Sequence, residues 1–384
     1  MRSIVRRPGG ARQRRRSVTT LQARRMKLIL GDGSVWRGFG FGDERTVTGE
    51  VVFNTGMTGY VESFTDPSYK GQILVMTYPL IGNYGVPLFR REKNGLESEP
   101  YESDRVQLLG LVVSEASPHW SHHTAHHGLD EWMQEAGVPV IAGVDTRALT
   151  RILREHGTME GKLCPENEDD TLGAPTIDMK SAVDQVSCRE PVTYQAGARS
   201  VLFVDCGGKR NIIRSLLRRG ITVHRVPWNA NLLASEFDYD GVILSNGPGD
   251  PKDVGALVMQ IRALLSQEKP IFGICLGNQV LALAAGADTY KLKYGHRSQN
   301  QPCQDLLTRR GVITSQNHGY AVVEDSIPPD WETWFVNIND GTNEGIRHRH
   351  KPFFSVQFHP EAAPGPTDTD YLFDEFARVL ANHR

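Results

Sequence analysis

The chain has 384 residues, 39% of them hydrophobic, with 43 Lys and Arg set against 45 Asp and Glu. That length suffices for two cores of ordinary size, and without a long uncharged apolar run no transmembrane helix is expected. Charges that nearly cancel give no reason to expect nucleic acid or an anionic membrane as a partner.

The first 25 residues hold nine arginines and no acidic residue. Such a segment reads either as a mitochondrial presequence or as an extension before a start at Met26, where the first strand Leu28-Ile29-Leu30 follows at once. Five cysteines, at 164, 188, 206, 275 and 303, include no C-x-x-C pair. This suits free thiols in a reducing compartment, and a cytoplasmic location is expected, with the mitochondrion as the alternative.

Residues 26–162 alternate short β-rich runs, such as 50–54 and 72–78, with Gly-rich turns, which predicts an α/β domain with substantial sheet. Gly38-Phe39-Gly40-Phe41-Gly42 lacks the spacing of a nucleotide loop and is expected to be a turn. His122, His123, His126 and His127 have the i, i+4 spacing of a helical metal site, but no carboxylate cluster accompanies them. A solvated helical face, without metal, is the expectation. Residues 163–198 are polar and read as a linker. From 199 to 384 strands at 201–204, 222–226, 241–244 and 270–274 alternate with helices at 211–219, 256–266 and 279–285. That alternation predicts a mostly parallel sheet covered by helices on both faces, with its site at the carboxyl ends of the strands.

The strongest chemical signal is Gly273-Ile274-Cys275-Leu276-Gly277, between an apolar strand and an apolar helix. Two glycines allow a sharp strand-to-helix turn, and the N-terminus of the following helix favours thiolate over thiol. Downstream, Phe353-Phe354-Ser355-Val356-Gln357-Phe358 reads as a strand ending in His359, with Glu361 two residues on. His359 is the candidate base for the thiol proton, and Glu361 the candidate orienter of the imidazole.

These motifs, with Ser245-Asn246-Gly247-Pro248-Gly249-Asp250-Pro251 before them and Ser315-Gln316-Asn317-His318-Gly319-Tyr320 between, resemble the class I triad glutamine amidotransferases over residues 198–384. The front half, through Gly49–Tyr60, Thr65-Asp66-Pro67-Ser68-Tyr69, Pro79–Gly85 and Gly143-Val144-Asp145-Thr146-Arg147, resembles the N-terminal domain of the carbamoyl-phosphate synthase small subunit. The wording is closest to the glutaminase part of eukaryotic, pyrimidine-pathway synthases.

The resemblance implies a glutaminase with Cys275, His359 and Glu361 as its triad, passing ammonia to a large synthetase subunit or fused synthetase domain. It implies an oxyanion held by backbone N–H groups of Gly249 and Leu276, with Gly247 beside them. It further implies that Gln279, Asn317, Gly319 and Tyr320 bind the α-amino and α-carboxylate groups of L-glutamine, largely through neutral contacts. No Walker-type G-x-x-x-x-G-K-[ST] occurs, so this chain needs no cofactor and MgATP is expected on the partner. Two positions depart from the bacterial pattern. Asn278 replaces the usual His, where only a tuning effect is expected. Gly56 stands where bacterial relatives carry a serine expected to reach glutamine from the first domain. A partner protein that has lost glutaminase activity is the rival reading, as in ammonia-dependent synthases that replace the cysteine; the intact triad speaks against it.

Overall fold

The computed structural model describes residues 24–383. The arginine-rich stretch at residues 1–23 lies outside the described residues. Seven strands close the first domain into a barrel, in the order Arg24–Leu30, Met159–Pro165, Val47–Asn54, Gln72–Met76, Gly110–Val112, Pro139–Ala142 and Val35–Gly42. Both faces of its strands are buried, so the apolar residues run on rather than alternate with polar ones. Val51, Phe53, Ile73 and Val75 share one core with Leu149 and Leu153 of the helix Thr146–His156. Val52, Leu74 and Met76 turn the other way, toward Tyr60, Phe64 and Trp132. Asp145 caps that helix by accepting from Ala148 N at 2.9 Å, and Gly157, at φ 99°, ends it.

Three expectations for this half change. Gly38–Gly42 is no turn but the end of the barrel strand Val35–Gly42. Its glycines are there for close packing: a Cβ on Gly40 would fall 2.2 Å from Met26 Cγ. The histidine run forms no helix. Ala125–His127 is a short strand paired with Val86–Pro87, which breaks the i, i+4 face. The barrel also begins before Met26, since Arg24 and Arg25 pair with Gly40 and Phe39.

The expected linker is not a bare connection. Its first three residues end the barrel strand Met159–Pro165. The next part wraps the barrel, with Thr48 N donating to Thr176 Oγ1 at 2.8 Å and buried Lys27 bonded to Asp170 at 2.5 Å. Val192–Tyr194 then forms the edge of the second domain's sheet.

That sheet has ten strands. Its parallel centre runs Ile221–Pro227, Arg199–Asp205, Gly241–Leu244, Ile271–Ile274 and Phe353–Val356, as the sequence alternation predicts. Helices Arg210–Arg218 and Tyr371–Asn382 cover one face, and Gly255–Leu264 and Leu276–Ala285 the other. Beyond Phe353–Val356 the sheet continues antiparallel, through Asn343–His348 and Trp331–Asn337 to the long pair Thr289–Asp305 and Gly311–Val322.

The domains interlock. Leu96, from the first, is buried in the core of the second beside Val201 and Phe203. Around it Glu97 pairs with Arg210 at 2.5 Å and Glu102 with Arg214 at 3.0 Å, all four nearly buried.

Candidate active site

Cys275 ends the central strand Ile271–Ile274 and caps the helix Leu276–Ala285, with φ 55° and ψ −104°. A non-glycine residue held at positive φ is strained, and here the strain points a side chain out of a tight strand-to-helix turn. The flanking glycines are required. A Cβ on Gly273 would stand 2.5 Å from Gly277 O, and one on Gly277 would stand 2.2 Å from Leu244 O. The Sγ–H points to the Asn317 carbonyl at 3.7 Å, and the first N–H groups of the helix lack intrahelical acceptors.

His359 follows the neighbouring parallel strand Phe353–Val356, whose Val356 O accepts from Cys275 N at 2.9 Å. Adjacent parallel strands thus bring the two residues together. His359 is 1% exposed; its Nδ1 meets Glu361 Oε1 at 2.7 Å, and its Nε2 has no partner. Burial opposes the imidazolium, but the Glu361 charge, with the Cys275 sulfur beside the ring, outweighs it and raises the His359 pKa. Burial likewise opposes the Glu361 carboxylate, while Lys209 and His359 hold its pKa below the ordinary range.

Lys209 is a residue the sequence reading missed. Its side chain is 3% exposed, and Nζ lies 3.1 Å from Glu361 Oε1 and donates also to the Ala362 carbonyl. It sits in Gly207-Gly208-Lys209, just beyond the strand Arg199–Asp205, and a lysine at the carboxyl end of a buried strand was the available signal.

A cavity of about 160 Å³ opens between the domains onto Cys275. Gly247, Gly249, Leu276, Gln279, Asn317, Gly319 and Tyr320, the expected substrate residues, all line it. Gly249 adopts φ 88°, and a Cβ on Gly247 would strike Cys206 O at 2.2 Å, so both positions demand glycine. Gln279 Nε2 donates to Tyr320 O at 2.8 Å and to Gln357 Oε1 at 3.1 Å. Asn278 is fully buried against Gln357 and Ser355 and does not line the cavity.

Gly56 is not part of this wall. Its N–H turns back to Asn54 Oδ1 at 2.6 Å, and a Cβ there would meet Gln299 Nε2 at 2.5 Å. The first domain reaches the cavity instead through Ser68, in the 3-10 turn Pro67–Tyr69 that Asp66 caps. Asp66 Oδ2 accepts from Asn317 Nδ2 at 3.0 Å, and Ser68 Oγ accepts from Asn246 Nδ2 at 3.0 Å. A second void of about 20 Å³, touching His359, Lys209, Asp66 and Asn317, has room for one molecule the size of water.

Among the described residues, His296, His318 and Glu344 are close enough to share a metal ion, but they are already engaged. His296 bridges Glu344 at 3.2 Å and Asp340 at 2.8 Å, and His318 Nδ1 meets Tyr320 O at 2.9 Å.

A family model described as carbamoyl-phosphate synthase small chain, CPSase domain, matches residues 28–163, and one described as glutamine amidotransferase class-I matches residues 202–379. The chain belongs to the carbamoyl-phosphate synthase small-chain family, with a class-I glutamine amidotransferase domain as its second half. It is 47% identical over 369 residues to multifunctional protein pyr1-3 of Dictyostelium discoideum, an alignment covering 91% of this chain and 16% of that protein. It is 49% identical over 353 residues to multifunctional protein CAD of Squalus acanthias, covering 91% and 16%. A rat protein named carbamoyl-phosphate synthase [ammonia], mitochondrial, is 45% identical over 365 residues, covering 94% and 24%. This small chain thus spans a quarter or less of the length of each of these relatives.

Proposed function

We propose that this chain is the glutaminase component of a glutamine-dependent carbamoyl-phosphate synthase. The observation that carries the reading is the Cys275, His359 and Glu361 constellation, on adjacent strand ends, opening into a cavity walled by both domains. The Cys275 thiolate attacks the side-chain amide carbon of L-glutamine, and the N–H groups of Gly249 and Leu276 stabilise the resulting oxyanion. His359 returns the proton to the departing nitrogen, leaving ammonia and a glutamyl thioester. The same histidine then takes a proton from water, whose oxygen attacks the thioester and releases glutamate and the thiol. Glu361 holds the imidazole in one tautomer and balances its charge, while Lys209 keeps Glu361 ionised.

The ammonia is used by a large synthetase subunit or a fused synthetase domain, which makes carbamoyl phosphate from bicarbonate and two MgATP, for pyrimidine or arginine biosynthesis. The support is the small-chain domain itself and the greater length of the multifunctional relatives. This chain contributes no cofactor, and we place it in the cytoplasm. The relative named for ammonia favours a second reading, in which the domain supports the synthetase without hydrolysing glutamine. Reconstitution with a large subunit discriminates the two: the glutaminase reading requires glutamine-dependent carbamoyl phosphate, the second gives product with ammonium salt alone.

A further inference from the structure

The proposed mechanism leaves one buried charge in the cavity unused. Arg297 is 5% exposed, lines the same cavity as Cys275, and its Nε has no hydrogen-bond partner. Among the described residues it makes no ion pair; its one bond is from Nη1 to the Tyr294 carbonyl at 2.6 Å. The carboxylate it influences, Glu50, is already occupied. Glu50 Oε1 takes Lys291 Nζ and Thr158 Oγ1, each at 2.8 Å, and Oε2 takes Gln72 Nε2 at 2.9 Å. Burial raises the Glu50 pKa, but Arg297 and Lys291 together hold it below the ordinary range, so Glu50 is an anion shared between two cations. The remaining carboxylate on the wall, Glu160, is exposed.

A guanidinium taken out of water without an anion is costly, and such a group in a substrate cavity is matched by the substrate. Space for it has been made. A Cβ on Gly295 would stand 2.5 Å from Arg297 Nη1, and one on Gly319 would stand 3.2 Å from Nη2. Gly319 is therefore small for the sake of Arg297. Arg297 also stands opposite Asn317 in the ladder between Thr289–Asp305 and Gly311–Val322, and the Asn317 carbonyl faces Cys275 Sγ. The short segment Asn317–Gly319 thus touches the nucleophile at one end and the guanidinium at the other, as a substrate with an amide at one end and a carboxylate at the other requires.

We propose that Arg297 binds the α-carboxylate of the substrate and makes this site selective for a free α-amino acid, a charged anchor in place of purely neutral contacts. The proposal rests on the glutaminase reading. Two substrates separate recognition from folding: L-glutamine, and its α-amide, in which a neutral carboxamide replaces the carboxylate. The full chain prefers glutamine. Arg297→Gln raises KM for glutamine roughly 10- to 100-fold, the worth of one charge-assisted bond, while kcat stays within about threefold. Its kcat/KM on the α-amide stays at the parental value, so the preference disappears, and Arg297→Lys restores part of it. Calorimetric titration of glutamine into Cys275→Ser and into Cys275→Ser with Arg297→Gln reads the same loss as a Kd, without turnover. Equal losses on both substrates, or an unchanged KM and Kd for glutamine, overturn the proposal. A parent chain that neither binds nor hydrolyses glutamine overturns the glutaminase reading, and is recognised because Arg297 is then still in place.

Discussion

Lys209 Nζ and His359 Nδ1 meet the same carboxylate oxygen, Glu361 Oε1, at 3.1 and 2.7 Å. The triad is in effect extended by a buried ammonium, and all its members depend on the one carboxylate. Lys209→Met removes the charge that opposes protonation of Glu361, so glutaminase kcat should fall roughly tenfold or more, with KM within about threefold. Glu361→Gln keeps the shape and removes the charge that stabilises the imidazolium, and should lower kcat at least as far. Steady-state ammonia release checks both; parental kcat in either variant would remove that residue from the mechanism.

The first domain's contribution to the cavity is assigned to Ser68 and not to Gly56. Ser68→Ala should raise KM for glutamine by roughly 3- to 10-fold, the range for one neutral hydrogen bond, with kcat little changed. Gly56→Ala should leave KM where it is. The opposite pattern would restore Gly56 to the site.

Asp205 ties the Lys209 loop to the wrapping segment. Its Oδ1 accepts from Gly208 N at 2.7 Å, and its Oδ2 accepts from Cys188 N at 2.7 Å and Arg225 Nε at 2.9 Å. Burial raises its pKa, but Arg225, Arg210 and these N–H groups hold it below the ordinary value. A carboxyl whose folded pKa is depressed contributes stability that is present above the unfolded value of about 4 and lost as pH falls below it. Asp205→Asn should therefore cost about 3–5 kcal/mol near neutrality, by stranding Arg225, and show a smaller further loss on acidification below pH ~4. Urea unfolding across that range measures it. Parallel pH profiles for parent and variant would contradict the assignment.

Arg24 and Arg25 belong to the barrel. Arg24 bonds the Gly42 carbonyl at 2.8 Å and Glu44 at 2.5 Å, and Arg25 lies 4.8 Å over the Phe39 ring. A chain starting at Met26 should be less stable than one starting at Arg24, by about 1–2 kcal/mol for the lost ladder and side-chain bonds. Equal urea midpoints for the two would show that the strand's first residues carry no stability.

What was legible in the sequence was local. The Cys275 turn, the His359 strand end and the parallel alternation around them are each written in a few consecutive residues, where apolar runs meet glycine. Long-range pairing was not legible. Ser68 and Lys209 come into the site only because the barrel docks on the second domain, and nothing near them in sequence says so. The antiparallel pair Thr289–Asp305 and Gly311–Val322 was missed because polar stretches such as Ser298-Gln299-Asn300-Gln301 lack apolar alternation, although several of their polar side chains are buried. Glycine misled twice. At Gly38–Gly42 it marks close packing within a strand, and at Gly56 a turn outside the cavity.

The central claim is that Cys275 is the nucleophile of a glutaminase. The most direct measurement is the rate of ammonia release from L-glutamine by the parent chain and by Cys275→Ser, in one assay with a competent synthetase subunit present. Serine nearly preserves the volume of the turn but supplies a hydroxyl of far higher pKa, so its attack on the amide carbon should be negligible. The account predicts steady hydrolysis by the parent and none detectable from Cys275→Ser, while carbamoyl phosphate still forms from ammonium salt in both. Glutamine hydrolysis that survives in Cys275→Ser, or is absent from the parent, would contradict it.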